Sequence, residues 1–400
     1  MSGRLPTVLL TALTAVLMSA LAPVPAPQPP PGSDPSGPDW VADLNQGHPV
    51  DVAYVDGALR LTAARGLLTL PAHRLAQPVG RVTAELNAVA PPGGTADVDV
   101  RGRVSGGRWS EWLPSSPGTP VALPGPSTQV QLRVLLAGTP SARPEVRGLR
   151  AHAEPVAGMR VAAPAAPVRY PVFATREGLV HGHTANGHRI KSHELFVALP
   201  SWRSLADRDG SEYSVKVCAL GGRCVWAPVW DVGPWNTKDD YWSTDREQWG
   251  DLPQGIPEAQ AAFRDGHNDG KDGSGRAVAN PAGIDLSDGV FDAGLRLTDN
   301  AQVTISYLWT GGPALSTVDA EDQQTDAATD RSDRGGVRPD QAVTVRRAPS
   351  PDAPAVGLAA ADAGVPVECA TPNDWLRIGP SEYLPASAVE LADDLTVGPC

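Results

Sequence analysis

The sequence predicts a mainly β protein of three bodies joined by linkers, and three observations lead to that reading. The 400 residues exceed a usual single domain, and a 41% hydrophobic content is enough for more than one core. With 41 Pro and 41 Gly, turns are frequent. Apolar residues recur in short alternating runs rather than at helical spacing, which points to strands.

The N-terminus reads as an export signal at residues 1–22. Arg4 supplies the positive charge, Leu5 to Leu21 is almost wholly apolar, and Ala20-Leu21-Ala22 offers the small residues a signal peptidase accepts. Cleavage after Ala22 would leave a secreted chain, the alternative being a retained membrane anchor of about 17 residues, and residues 23–39 then form a Pro-rich linker. The net charge of −12 argues against nucleic acid, whose phosphates are bound through clustered Lys and Arg. Export permits disulfides. Cys218 and Cys224 flank a turn between two strand-like runs, so they face each other across a hairpin, and Cys369 pairs with Cys400 by elimination.

The first body spans 40–153. Val82 to Val89, Ala96 to Val104 and Gln129 to Leu136 alternate apolar and polar residues, the pattern of a β-sandwich. Trp109 and Trp112 either stack on sugar or fill the edge of the core. The stretch DVDVRGRVSGGRWSEW with QVQLRVLLAG resembles the accessory β-sandwich modules that precede catalytic domains in exported actinobacterial cell-wall proteins. Residues 154–169 read as a second linker and 170–311 as the central body, with strands expected at 173–180, 195–199, 213–218, 225–230 and 303–309 and a short helix at Pro257 to Arg264. An acidic, disordered linker is expected at 312–336, and four short strands at 337–400 make a last small body.

The central body is organised around Tyr213 to Asn236 and Asn280 to Gly289. In each, an apolar strand leads to a carboxylate, Asp231 before Val-Gly-Pro and Asp285 after Gly-Ile. Thr184-Ala-Asn-Gly187, Val197-Ala-Leu-Pro200, Val-Trp-Asp231-Val-Gly-Pro234 and Ile284-Asp285-Leu-Ser287 occur in the order that resembles the six-stranded double-psi β-barrel of the rare lipoprotein A and expansin families. That resemblance implies an open groove that binds peptidoglycan glycan strands. It also implies Asp231 as the acid, since some members cleave peptidoglycan as lytic transglycosylases. A carboxyl flanked by Trp230 and Trp235 is suited to donate a proton, and a hydrolase would recruit Asp285 as well; alternatively, Asp285 caps backbone amides at a turn. Asn186 of the Thr-Ala-Asn-Gly turn joins Trp230, Trp235 and Trp242 as candidate substrate contacts.

Two departures from the family pattern bear on function. Active relatives carry a His three residues before the Leu-Pro pair, where this chain has Phe196, and His193 is the substitute if a loop shift brings it in. Residues 237–280 are an insertion in which Trp242 and Trp249 either line the groove or anchor the insertion to the barrel. Within it, Asp265 to Gly273 superficially suggests a calcium loop, but Arg276 stands where the bidentate Glu belongs, leaving a flexible acidic loop. Exposed loop His is the reading for His181, His183 and His188, so neither a metal nor a cofactor is expected. The last body, through Val343-Thr-Val-Arg-Arg-Ala-Pro and Asn373-Asp-Trp-Leu-Arg-Ile378, resembles a bacterial Src-homology-3-like (SH3-like) domain, which implies cell-wall targeting. The expected protein is therefore secreted, cell-wall associated and directed at peptidoglycan, as a remodelling enzyme or as a non-catalytic binder.

Overall fold

Short β-rich segments separated by turns leave their backbone edges unsatisfied unless they pair, and closing a sheet on itself removes the edges. The computed structural model describes residues 37–103, 108–155, 160–164, 167–310, 313–316, 335–338, 341–391 and 397–400, and it is mainly β. The expected signal peptide, nearly all of the first linker and most of the acidic linker lie outside the described residues.

Six strands of the central body close into a barrel: β1 (Arg169–Arg176), β2 (Val197–Leu199), β3 (Ser214–Ala219), β4 (Cys224–Val232), β5 (Ala282–Leu286) and β6 (Ala301–Tyr307). Around the barrel the order is β2-β5-β1-β6-β3-β4, and β4 pairs back with β2. The pairs β1/β5 and β2/β4 are parallel, and the other four are antiparallel. The interior is filled by alternate residues, among them Val172, Val197, Leu199, Val217, Val229, Ile284, Leu286 and Ile305, each fully buried. The Cys218–Cys224 disulfide staples the β3/β4 hairpin and Cys369–Cys400 holds the C-terminus, both as expected. In the insertion a helix, α1 (Glu258–Asp265), forms behind Pro257 and ends at Gly266, whose φ of 73° suits a left-handed cap.

The N-terminal body is a ten-stranded antiparallel sheet around its own core of Leu59, Val82, Val100, Val130, Val134 and Leu149. The C-terminal body joins the barrel edge to edge. Its strand at Ala355–Ala359, which the sequence did not announce, runs parallel to β4 with Gly357 opposite Cys224. A Cβ on Gly357 would meet the Cys224 carbonyl oxygen at 2.1 Å, so the two backbones approach this closely only because the residue is glycine. One apolar core then runs from Val172 and Ile305 through Trp226 to Val345 and Leu384. Of the expected second linker, Arg160–Pro164 is a strand paired with Pro313–Ser316, and Arg169 already belongs to β1.

The sandwich also plugs into the barrel. Trp112 is wholly buried in the barrel's core, and its amide donates to the Arg203 carbonyl at 3.0 Å. Glu111, half-buried, accepts the indole N–H groups of Trp242 at 2.7 Å and Trp309 at 2.6 Å. Arg101, 1% exposed, lies between the rings of Trp109 and Trp112. It donates to Gln131 on its own sheet and to Asp207 at 2.9 Å and Glu212 at 3.1 Å on the barrel side. Trp112 is therefore interface core with no free face for sugar, and Trp109, half-buried, packs against the Arg101 guanidinium. Removing Arg101 strands two carboxylates against apolar rings, so Arg101→Ala is expected to cost about 3–5 kcal/mol, measured as a lowered midpoint in denaturant unfolding; an unchanged midpoint would mean this contact does not hold the bodies together.

Candidate functional site

Barrel closure sets the site. On β2, Val197 and Leu199 point into the core, and Ala198 between them faces the other way. Ala198 is in register with Asp231 of β4 on one side and Asp285 of β5 on the other, and Asp285 is in register with Thr175 of β1. Cross-strand partners in register project from the same face. The position of Asp231 in that row depends on a register shift. β4 pairs Val197 with Val229 and Ala198 with Asp231, skipping Trp230, so the extra residue re-aims the carboxylate out of the alternation that would have sent it inward.

A third acid joins them. Strand β1 ends at Arg176 rather than running to Val180, so Glu177 is the first residue off its end, and its amide still donates to the Leu286 carbonyl at 2.9 Å. Its carboxyl lies within electrostatic reach of Asp231, Asp285 and Asp288. Asp231 Oδ1 accepts two backbone N–H groups, from Ala185 at 2.9 Å and from Val232 at 2.8 Å. The Thr175 hydroxyl donates to Asp285 Oδ1, and a Cβ on Gly233 would lie 3.9 Å from Asp285 Oδ2, which places the Gly-Pro turn beside that acid. The partner of Asp285 is thus a hydroxyl, in place of the turn amides that a capping role required.

Burial, with Asp231, Asp285 and Asp288 nearby, pushes Glu177 up to about 10. Burial likewise raises Asp231, opposed by the neighbouring Glu177 carboxyl and the two amides. Burial and the Asp231 charge raise Asp285 to about 6, with the Thr175 hydroxyl working against them. The cluster therefore holds at least one proton at neutral pH. Carboxyl groups tuned apart in this way can donate a proton and receive one. Among the described residues no group of three or more His, Cys, Asp or Glu has the geometry to hold a metal ion.

The other expected site residues lie elsewhere. His193 is exposed, and its ring makes no hydrogen bond or ion pair among the described residues; Gly289 packs so tightly on its carbonyl that an added Cβ would stand 2.2 Å from the oxygen. It supplies no proton to Asp231. Phe196 is buried against Trp230, and Trp230 in turn donates its indole N–H to the Gly210 carbonyl at 3.1 Å, so neither faces a groove. Asn186 is 3% exposed; its amide donates to the carbonyls of Ala206 at 3.2 Å and Asp207 at 3.1 Å. It holds the turn that presents the Ala185 N–H, a supporting role in place of the expected substrate contact. Trp242, 1% exposed and stacked on Tyr307, anchors the insertion. Trp235 alone of the four reaches the surface. Its indole donates to Asn280 Oδ1 at 3.0 Å, with the Arg276 guanidinium 5.7 Å from the ring centre. The expected loose acidic loop is a hydrogen-bonded turn, in which buried Asp272 accepts from the amides of Ser274 and Arg276, both at 2.9 Å.

Glu177 escaped the sequence reading because Phe173 to Val180 passed for one strand. The pattern of a strand, then a carboxylate, then a glycine turn that singled out Asp231 also marks Glu177-Gly178, where Gly178 has φ 70°.

A family model described as a domain of unknown function (DUF8814) matches residues 167–306, from just before β1 into β6. No curated protein matches the chain. Among solved structures, a β-1,2-glucanase from Parabacteroides distasonis is similar at 14% identity and a TM-score of 0.16 over 50% of this chain and 30% of that one, a level that carries no argument about fold or function.

A folded carboxyl raised above its unfolded value takes up a proton on folding, so its contribution is fully present below the unfolded value of about 4.3 and is lost as pH rises toward the folded one. Glu177 should therefore make the protein less stable between about pH 5 and pH 10, at a slope approaching about 1.4 kcal/mol per pH unit. Glu177→Gln does not titrate. Thermal melts across that range should fall less steeply for the variant than for wild type; parallel curves would show that Glu177 is not the proton-holding group.

Proposed function

We propose that this chain is an exported cell-envelope protein whose barrel engages the glycan strands of peptidoglycan and cleaves them by acid catalysis at the carboxyl cluster around Asp231. The observation that carries the reading is the asymmetry of the acids. Asp231 accepts two backbone amides and Glu177 Oε2 is buried without a donor, while Asp285 stands on the far side of Ala198. Glycosidic bond cleavage needs a proton for the leaving oxygen and a carboxylate to assist the incoming hydroxyl. Support for the wall comes from the sequence motifs shared with double-psi barrels, from the apolar N-terminal segment and from two disulfides suited to an oxidising compartment.

A second reading, a non-catalytic binder of the wall, is favoured by one observation. Phe196 fills the position where active relatives place a His, and His193 does not replace it. Incubation of purified sacculi with the full chain separates the two. Release of soluble glycan fragments, reduced about 100-fold or more in Asp231→Asn, is the expected result. Co-sedimentation without release would establish the binder, and the absence of both would overturn the peptidoglycan reading.

A further inference from the structure

A neutral imidazole has one N–H and one lone pair, and it can donate to a single carboxylate. The ring of His267, 18% exposed, faces two. Its Nδ1 lies 3.2 Å from Glu258 Oε1, and its Nε2 lies 3.1 Å from Asp251 Oδ2. Glu258 is fully buried at the first position of α1, and its Oε2 accepts the side-chain amide of Asn236 at 2.7 Å. Among the described residues His267 is the one ion-pair partner of Glu258. An imidazolium satisfies both acids, whereas a ring with one proton fewer would turn a lone pair on one of them. Burial disfavours charge on the ring, but the hydrogen bonds to Glu258 and Asp251 outweigh it and raise the imidazole above its ordinary value. The other charged groups at this seam are Arg246 and Asp239, which pair with each other. Asp239 Oδ2 also accepts the Glu258 amide at 2.7 Å, and the Arg246 charge acts on Asp251. Arg264, Asp265, Asp269 and Lys271, close to His267 in sequence, are exposed.

What this ring holds lies beside the acids of the barrel. Ala259 and Ala262 of α1 pack with Val278 against Trp235, the one of the four candidate substrate contacts that reaches the surface. Asn236, the next residue, is tied to Glu258 and accepts the Gly273 amide at 2.8 Å. Trp235 itself follows the Gly233-Pro234 turn that lies beside Asp285. The loop of Trp249 and Asp251, the start of α1 and the turn after β4 are thus joined through one imidazole, which Trp249 meets edge-on at 5.3 Å.

Building on the glycan-engaging barrel proposed above, we infer that His267 is a pH-sensitive latch, a positioning residue that fixes α1 against Trp235 when both ring nitrogens carry protons and so regulates glycan binding at the rim of the carboxyl site. Loss of one proton removes the cation from buried Glu258, and α1 is then held by its apolar contacts and by Asn236. A folded imidazole raised above the unfolded value of about 6.5 contributes stability that is fully present below that value and is lost as pH rises through the folded one. The latch is closed in mildly acidic medium and opens in alkaline medium.

Nitrogen-15 NMR of the imidazoles in the full chain tests the latch without any substrate. At pH 7.5, where an ordinary imidazole is about 90% neutral, the His267 ring should carry both protons. A ring with one proton at that pH overturns the latch. Hydrogen exchange of the amides of residues 258–265, corrected for the intrinsic effect of pH, should quicken from pH 6 to pH 9 by about tenfold more in wild type than in His267→Gln; an equal change in both overturns the coupling to α1. Asp251→Asn, an exposed change that leaves Glu258 in place, should lower the pH at which the ring loses its proton and α1 loosens, and no shift overturns the two-carboxylate clamp. Sedimentation with sacculi tests the link to the site. Wild type should bind about tenfold more weakly at pH 9 than at pH 6, and His267→Gln should show a smaller loss; an equal loss in both overturns the regulation. Binding at neither pH would refute the peptidoglycan reading and the regulation with it, while the NMR and exchange results still decide the latch.

Discussion

The structure depends on three residues, Val197–Leu199, that pair on both edges and close the barrel. A strand this short holds its place because Val197 and Leu199 are fully buried, while Ala198 is small enough to lie beneath the acids on the opposite face. The same pairing completes the core and aligns Asp231 with Asp285. Core and site therefore share a cause, and any change in register on this strand would exchange the two faces.

Buried carboxyl groups oppose folding unless they are neutral, paired or well hydrogen-bonded, and the chain holds several. Asp239 and Asp240 are paired with Arg246 and Arg203, and Glu111 is held by two indole N–H groups. These acids bind the insertion and the sandwich to the barrel. Glu177 differs from them in having no cation and an oxygen without a donor. Such a group persists because the packed barrel around it imposes it, and unsatisfied polar groups of this kind tend to gather where chemistry is done.

The tryptophans illustrate how composition misleads. Seven of the eleven fall in the central body, and the sequence offers Trp230, Trp235 and Trp242 among them as candidate substrate contacts. Trp226, Trp230 and Trp242 are buried, and Trp242 and Trp309 both donate to Glu111. An indole offers a large apolar area with one N–H to place, which suits the seams between three packed bodies as well as it suits a binding groove. Those seams also unite the bodies, so that the described residues form one compact unit.

Alternation of apolar residues determined the mainly β class and most barrel strands to within a few residues, because burial on one face leaves a periodic mark in the chain, while Pro257 and the helix formers after it marked the short helix. Both disulfides were legible from the spacing and number of the cysteines, and Asp231 and Asp285 from their places at strand ends. What the sequence could not specify was which neighbours those positions would meet. The skipped Trp230 that turns Asp231 outward, the early end of β1 that frees Glu177, and the parallel pairing of Ala355–Ala359 with β4 each depend on a partner strand distant in sequence. His193 and Trp242 were misplaced for the same reason: exposure and burial are properties of the packed chain, and only tertiary contacts decided that one faces solvent and the other a core.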